Sequence, residues 1–166
     1  MKKEHSIIRT GLGQSSHRFL QPESSKPCIM AGIIFDDIPG FQANSDGDVI
    51  FTALCNAISS LTHIDIIGDI AQDLFTRDGI TDSEVYLREA LKTLKEQKIN
   101  YIALTLEAKR PSFKEFFHQI RKNIAHVMNL HISQIGITAI SADGLTDYSC
   151  GYGVKCLALI TTAEEQ

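Results

Sequence analysis

Five turn-forming residues, Asn44-Ser45-Asp46-Gly47-Asp48, run straight into the apolar positions Val49, Ile50, Ala53, Leu54, Ala57, Ile58 and Leu61. That spacing describes one stripe of an α-helix. The junction fixes where the helix begins, and Asp46 and Asp48 fall at or near its N-terminus, where the helix dipole favours negative charge.

The rest of the chain is read around this helix. Ile7, Ile8 and Phe19, mixed with glycine and small residues, predict a strand with a loop over residues 6–20. Residues 21–27 form a polar turn cluster. Residues 28–35 are a short apolar run bounded by turn signals, which predicts one buried strand. Pro39-Gly40 breaks the chain. Thr81-Asp82-Ser83-Glu84 reads as a capping box opening a second helix near Asp82, with Val85, Leu87, Ala90, Leu91 and Leu94 as its stripe. Residues 100–107 alternate as a strand. Pro111 suits the first position of a third helix burying Phe113, Phe116, Phe117, Ile120, Ile124 and Val127. Residues 135–140 and 153–160 are the last strands. The order β-β-α-α-β-α-β-β predicts an α/β (α+β) sandwich, a mixed sheet with helices packed on one face. A single domain over 1–166 is expected, with residues 1–5 and 162–166 as flexible termini.

A 166-residue chain that is 43% hydrophobic and 22% charged has the composition of a globular domain. Its net charge of -4 gives no reason to expect nucleic acid or an acidic membrane surface as a partner. No apolar run approaches the ~18 residues that span a bilayer. The charged Met1-Lys2-Lys3-Glu4-His5 has no apolar run after it, so no signal peptide is expected. Cys28, Cys55, Cys150 and Cys156 lack metal-site spacing and read as free core thiols of a reducing compartment.

For chemistry, His17 in a Gly-rich segment and the carboxylates Asp46 and Asp48 are the candidates. Together they suit a divalent cation. Equally, the two aspartates serve as helix caps and His17 as an ordinary half-buried histidine. His5, His63, His118, His126 and His131 are scattered singly. Lys109-Arg110 precede the Pro111 helix start, where a phosphate fits as readily as two solvated charges. The loop from Ser141 to Tyr152 carries Asp143, Gly144, Asp147 and Gly151, and loops this long often carry function. No Walker loop, GxGxxG after a strand, GxSxG or HExxH is present.

Gly11-Leu12-Gly13-Gln14-Ser15-Ser16-His17 and Asn44-Ser45-Asp46-Gly47-Asp48-Val49-Ile50-Phe51-Thr52-Ala53 together resemble the signature of the 2-C-methyl-D-erythritol 2,4-cyclodiphosphate synthases. There the segments read roughly G-x-G-x-D-x-H and H-S-D-G-D-x-x-x-H-A. The likeness covers residues 9–161. It continues through Gly68-Asp69-Ile70, Thr81-Asp82-Ser83, Ala108 with Pro111 and Arg121, the Ala139-to-Leu145 loop and Gly151-Tyr152-Gly153. The resemblance implies a homotrimer with active sites between subunits. It implies a lyase of the non-mevalonate isoprenoid route, in the cytoplasm or, in a eukaryote, the plastid stroma. Its substrate is a cytidine diphosphate sugar-alcohol, 4-diphosphocytidyl-2-C-methyl-D-erythritol 2-phosphate. Its products are the cyclic diphosphate and CMP. Zn²⁺ and a second metal, Mg²⁺ or Mn²⁺, are the implied cofactors.

Carried over position by position, His17 keeps its zinc-ligand place, while the Asp position is Ser15 and the second His is Thr52. A neutral hydroxyl is a poor Zn²⁺ ligand, so one imidazole is not expected to hold zinc tightly. The phosphate-contacting His is Asn44, beside Ser45. Asp143 takes the place of the second metal's acidic ligand, and Asp48 that of the second aspartate of S-D-G-D. These two are the implied catalytic carboxylates. Asp69 matches the residue that holds substrate hydroxyls. Ala108, Pro111, Ala139, Ser141 and Ala142 match the cytosine pocket. The arginine of the last loop is Cys150. Two readings follow: a working synthase with an altered metal site, or a catalytically impaired trimeric paralogue that keeps cytidine-nucleotide binding or a regulatory or structural role.

Overall fold

The computed structural model describes residues 6–165. Strand β1 (Ser6–Arg18) and the last strand, β6 (Gly153–Glu165), pair antiparallel from Ser6 opposite Glu165 to Arg18 opposite Gly153. β4 (Lys98–Glu107) lies antiparallel on the other side of β6, and β5 (Ile135–Ile140) runs parallel to β4. The sheet order is β1-β6-β4-β5. A parallel pair needs a crossover. Here it is a 3₁₀ turn, Phe113–Phe116, leading into α4 (Phe117–Met128). The expected mixed sheet with helices packed on it is what the chain forms.

Helix α1 (Val49–Thr62) lies across β1 and β6, and α3 (Ser83–Lys92) packs behind it. Sandwiched this way, α1 buries Val49, Ile50, Phe51, Ala53, Leu54, Cys55, Ala57, Ile58 and Leu61. Gly11 and Gly13 let it approach. A Cβ on Gly11 would stand 2.3 Å from the Ala57 carbonyl oxygen, and one on Gly13 2.2 Å from the Ala57 nitrogen. The G-x-G pattern is therefore a backbone-to-backbone contact between strand and helix. Among the described residues no helix packs on the opposite sheet face, which exposes Ile8, Leu12, Tyr101, Ile140 and Leu159.

Several expected details differ. Residues 28–35 are not one strand but a hairpin, β2 (Pro27–Met30) and β3 (Ile33–Pro39), turning at Ala31 and Gly32 with φ of 51° and 69°. Two consecutive positive φ values match the strand twist. The capping residue of α3 is Asp82, not Thr81, its carboxylate accepting the Glu84 N–H. Pro111 does not open the third helix, because Ser112 is extended and α4 starts at Phe117. A π-helical turn, Ile66–Ala71, and a short helix α2 (Gln72–Asp78) occupy a stretch without apolar periodicity. Residues 162–165 are not a loose tail but the end of β6, while residues 1–5 and 166 lie outside the described residues. Cys28, Cys55 and Cys156 are core thiols as expected, but Cys150 is exposed on its loop. Burial pushes the Cys28 thiol up to about 12, so it is inert at neutral pH. No helix among the described residues is long and apolar enough to cross a membrane.

Candidate active site

Side chains alternate across a strand, so Gly11, Gly13, Ser15 and His17 share the α1 side of β1. Beyond the glycines this side opens into a cavity of about 240 Å³. His17 forms its floor from β1. Ala43, Asn44 and Ser45 enter from the loop before α1, and Thr52 from the first turn of α1. Ile67 and Ala71 of the π turn, Gln72 and Phe75 of α2, and Tyr86 of α3 complete the wall. Four sequence candidates, His17, Asn44, Ser45 and Thr52, thus meet in one place. Ser15 lies one pleat upstream of His17 and is not part of the wall. Asp69 is exposed on the π turn, between wall residues Ile67 and Ala71.

The loop 40–48 that carries Asn44 and Ser45 is fixed from three sides. Asp46 ties it to α3: the Ser83 N–H and hydroxyl donate to the Asp46 carboxylate, and the Asp46 N–H donates to the Thr81 carbonyl. The Thr81-Asp82-Ser83 segment therefore belongs with the aspartate pair through a direct contact. Lys26 holds the loop from below, its ammonium donating to the carbonyls of Phe41 (2.9 Å), Ala43 (2.8 Å) and Ser45 (2.6 Å).

Asp48 is the third anchor, and the structure places it away from the cavity. The side chain is 0% exposed and outside the cavity wall. Its carboxylate accepts four backbone N–H groups: Ala31 (2.9 Å), Gly32 (2.7 Å), Ile50 (3.1 Å) and Phe51 (3.0 Å). It caps α1 and pins the β2–β3 turn to it. Burial pushes this carboxyl up to about 7, against the pull of its N–H donors. His17 is held below its ordinary pKa, first by burial and then by the Lys26 charge, with Asp46 opposing. Its imidazole is therefore neutral at pH 7, able to accept a hydrogen bond or ligate a metal.

Ala108, Pro111, Ala139, Ser141, Ala142 and Asp143 gather elsewhere, at the C-terminal ends of the parallel strands β4 and β5. The Ala108 N–H donates to the Ile140 carbonyl, and a cis peptide joins Arg110 to Pro111. Ala142 and Asp143 both have positive φ, and the Ser141 hydroxyl donates to the Asp143 carboxylate. The ends of parallel strands are a common place for nucleotides to dock. The following loop is braced by the Thr146 hydroxyl on Glu107 and by the Lys109 N–H on the Tyr148 carbonyl. None of these residues lines the His17 cavity.

Sequence reading missed Lys26, Gln72, Phe75 and Tyr86, none of which sits in a recognisable motif. Lys26 carried one usable signal, a cation alone in a polar turn cluster.

The chain matches known proteins over nearly its whole length. The YgbB family model matches residues 8–163. The 2-C-methyl-D-erythritol 2,4-cyclodiphosphate synthase of Chlamydia caviae is 52% identical over 165 residues, 99% of this chain and 94% of that protein. Its counterpart in Chlamydia trachomatis serovar D is 51% identical over 159 residues, 95% of this chain and 89% of that one. Among solved structures, the bifunctional IspDF of Campylobacter jejuni superposes with a TM-score of 0.86 at 25% identity, over 96% of this chain and 43% of that one. A 2C-methyl-D-erythritol-2,4-cyclodiphosphate synthase in its CDP-bound form gives 0.75 at 28% identity, over 93% and 99%. With the family model matching residues 8–163 and relatives about half identical over nearly the full chain, the chain belongs to the YgbB family of 2-C-methyl-D-erythritol 2,4-cyclodiphosphate synthases.

Proposed function

We propose that the chain acts on 4-diphosphocytidyl-2-C-methyl-D-erythritol 2-phosphate by intramolecular phosphoryl transfer. An oxygen of the 2-phosphate attacks the β-phosphorus. The bond from that phosphorus to the bridging oxygen breaks, and the oxygen leaves with CMP as the cyclic diphosphate closes. Such chemistry asks the protein mainly to position groups and to stabilise charge. Asn44 and Ser45 would meet the phosphates, Asp69 the erythritol hydroxyls, and the Ala108–Pro111 and Ala139–Ala142 segments the cytosine. The observation that carries this reading is the convergence of His17, Asn44, Ser45 and Thr52 on one cavity.

None of the cytosine residues lines the His17 cavity, which fits the family's arrangement of a site completed by a neighbouring subunit. The helix-free sheet face, with Leu12 59% exposed and Ile8 66% exposed, supports a homotrimer built on that face.

The family is metal-dependent, and two metal positions can be tested against the residues present. Asp143, exposed and beside the Ser141 hydroxyl, fits Mg²⁺ or Mn²⁺, which one carboxylate and substrate phosphates together can hold. It would supply charge neutralisation there. Ser15, His17 and Thr52 do not fit a three-ligand Zn²⁺ site. Among the described residues no three His, Cys, Asp or Glu side chains are grouped to hold a metal.

That misfit favours a second reading, an impaired paralogue that retains cytidine-nucleotide binding. Incubation with the substrate, following CMP by chromatography and the cyclic diphosphate by ³¹P NMR, separates the two. Release of both products supports the synthase. Binding of CDP without turnover supports the paralogue. Neither binding nor turnover refutes both.

A further inference from the structure

The cavity proposed to receive a multiply phosphorylated substrate has no charged side chain of fixed positive sign in its wall. One candidate lies against the loop that carries the wall residues Ala43, Asn44 and Ser45. Lys26 spends all three ammonium N–H groups on the carbonyls of Phe41, Ala43 and Ser45. These are alternate residues of a bent segment whose carbonyls converge on the ammonium.

A trans peptide holds its C=O and the following N–H antiparallel. Turning carbonyls 41, 43 and 45 toward Lys26 therefore turns the N–H groups of residues 42, 44 and 46 away from it. Two of those have protein acceptors: Gln42 donates to the Arg18 carbonyl and Asp46 to the Thr81 carbonyl. Among the described residues no acceptor meets the third, the N–H of Asn44, which belongs to a residue of the cavity wall. Hydrogen bonds in series polarise one another, so a cation on the Ala43 carbonyl strengthens the Asn44 N–H as a donor.

We propose that Lys26 is a positioning residue for substrate phosphate: it aims the Asn44 main-chain N–H into the cavity and polarises the Ala43–Asn44 peptide as an anion donor. This rests on the phosphate reading above. Lys26 touches no substrate itself. It supplies positive potential through a peptide unit of the cavity wall. Its other bonds suit the task, since the Lys26 carbonyl also accepts the Gly40 N–H at the start of the same loop.

The test is a titration of the full-length protein with inorganic pyrophosphate, watching the Asn44 backbone amide by ¹⁵N NMR. Lys26→Met, Lys26→Arg and Asn44→Pro are compared with the parent, with fold checked by circular dichroism. In the parent the Asn44 amide shifts on titration. Lys26→Met weakens pyrophosphate binding about tenfold, the scale of a charge-assisted hydrogen bond. Lys26→Arg restores it to within about threefold, since guanidinium also donates to several carbonyls. Asn44→Pro deletes the N–H while leaving Lys26 in place, and it weakens binding as Lys26→Met does. A silent Asn44 amide in the parent, or unchanged affinity in Asn44→Pro, overturns the proposal. So does parent-like affinity in a folded Lys26→Met. Lys26-dependent binding at Asn44 without CMP release would defeat the synthase reading alone. CMP release with a silent Asn44 would defeat only this proposal.

Discussion

Asp48 separates a structural carboxylate from a catalytic one, and two substitutions make the distinction measurable. Asp48→Ala removes the acceptor of four backbone N–H groups at a position that water does not reach. The Ile50 and Phe51 donors are the N-cap contribution, worth about 1 kcal/mol and at most ~2. The Ala31 and Gly32 donors, stranded at the hairpin turn, add about 1–3 kcal/mol each before the turn relaxes. A loss of about 3–5 kcal/mol follows, at the upper end of single-residue effects. Asp48→Asn keeps an oxygen for Ala31, Ile50 and Phe51, but points an amide N–H₂ at the Gly32 N–H. It forfeits one acceptor, about 1–2 kcal/mol. Urea midpoints at fixed chain concentration measure both, since association shifts apparent stability. In conditions where the Asn variant is folded, its kcat/KM for CMP release stays within about threefold of the parent, because Asp48 lies outside the cavity wall. A stable Asp48→Asn protein that loses a hundredfold or more in kcat would refute this and return Asp48 to the chemistry. The pH dependence has a fixed sign. The folded carboxyl is pushed up to about 7 from 3.8, so the group's contribution is full below pH ~4 and declines as pH rises through 7. The Asn variant does not titrate, so the parent's advantage over it narrows between pH 5 and pH 8.

Gly13→Ala places a methyl 2.2 Å from the Ala57 nitrogen and 2.3 Å from the Ala53 carbonyl oxygen, contacts that only separation of β1 and α1 relieves. It lowers stability by about 3 kcal/mol or more, read from the urea midpoint, and a change under 1 kcal/mol would contradict the close approach. Ser15→Asp with Thr52→His restores an acid and an imidazole beside His17. The double variant co-purifies with close to one zinc per chain by elemental analysis, against little for the parent. A parent already carrying stoichiometric zinc would show that other ligands complete the site. Sedimentation gives a mass of three 18.4 kDa chains for the parent and a smaller species for Leu159→Glu, whose side chain lies on the helix-free sheet face. A single-chain mass for the parent removes the inter-subunit site.

What could be read from the sequence was what local contacts determine. The start of α1 is legible because Asp48 caps it through N–H groups two and three residues away. Strand β4 is legible from alternation and β-branching, whereas β1, expected as a strand with a loop, is one unbroken strand. The hairpin was hidden because Ala31 is a weak signal for positive φ. That conformation is held by Asp48, 17 residues away, and by the Asn123 amide on the Ala31 carbonyl, 92 residues away. One wall of the cavity was legible through the family signature, which marks His17, Asn44, Ser45 and Thr52. The other wall comes from a π turn and a short helix with no periodic pattern, where Ile67, Gln72 and Phe75 gain meaning only from their neighbours. Asp48 shows why a signature does not by itself fix a role. A carboxylate in a functional signature looks the same whether it meets substrate or holds the backbone that does.

The β1–β6 ladder brings Ser6 opposite Glu165, so the two ends of the described chain leave the sheet side by side. The order in which the elements are threaded is then separable from the fold. A short linker across that gap closes the chain into a ring at small entropic cost. The ring can be reopened at Gly79, where nothing packs within 4 Å of an added Cβ. Such a permuted protein keeps every strand pairing and both site clusters, and it moves its ends to the rim of the cavity beside α2. There a reporter group or a fused domain would sit beside the helix that supplies Gln72 and Phe75 to the cavity, instead of at the far end of the sheet.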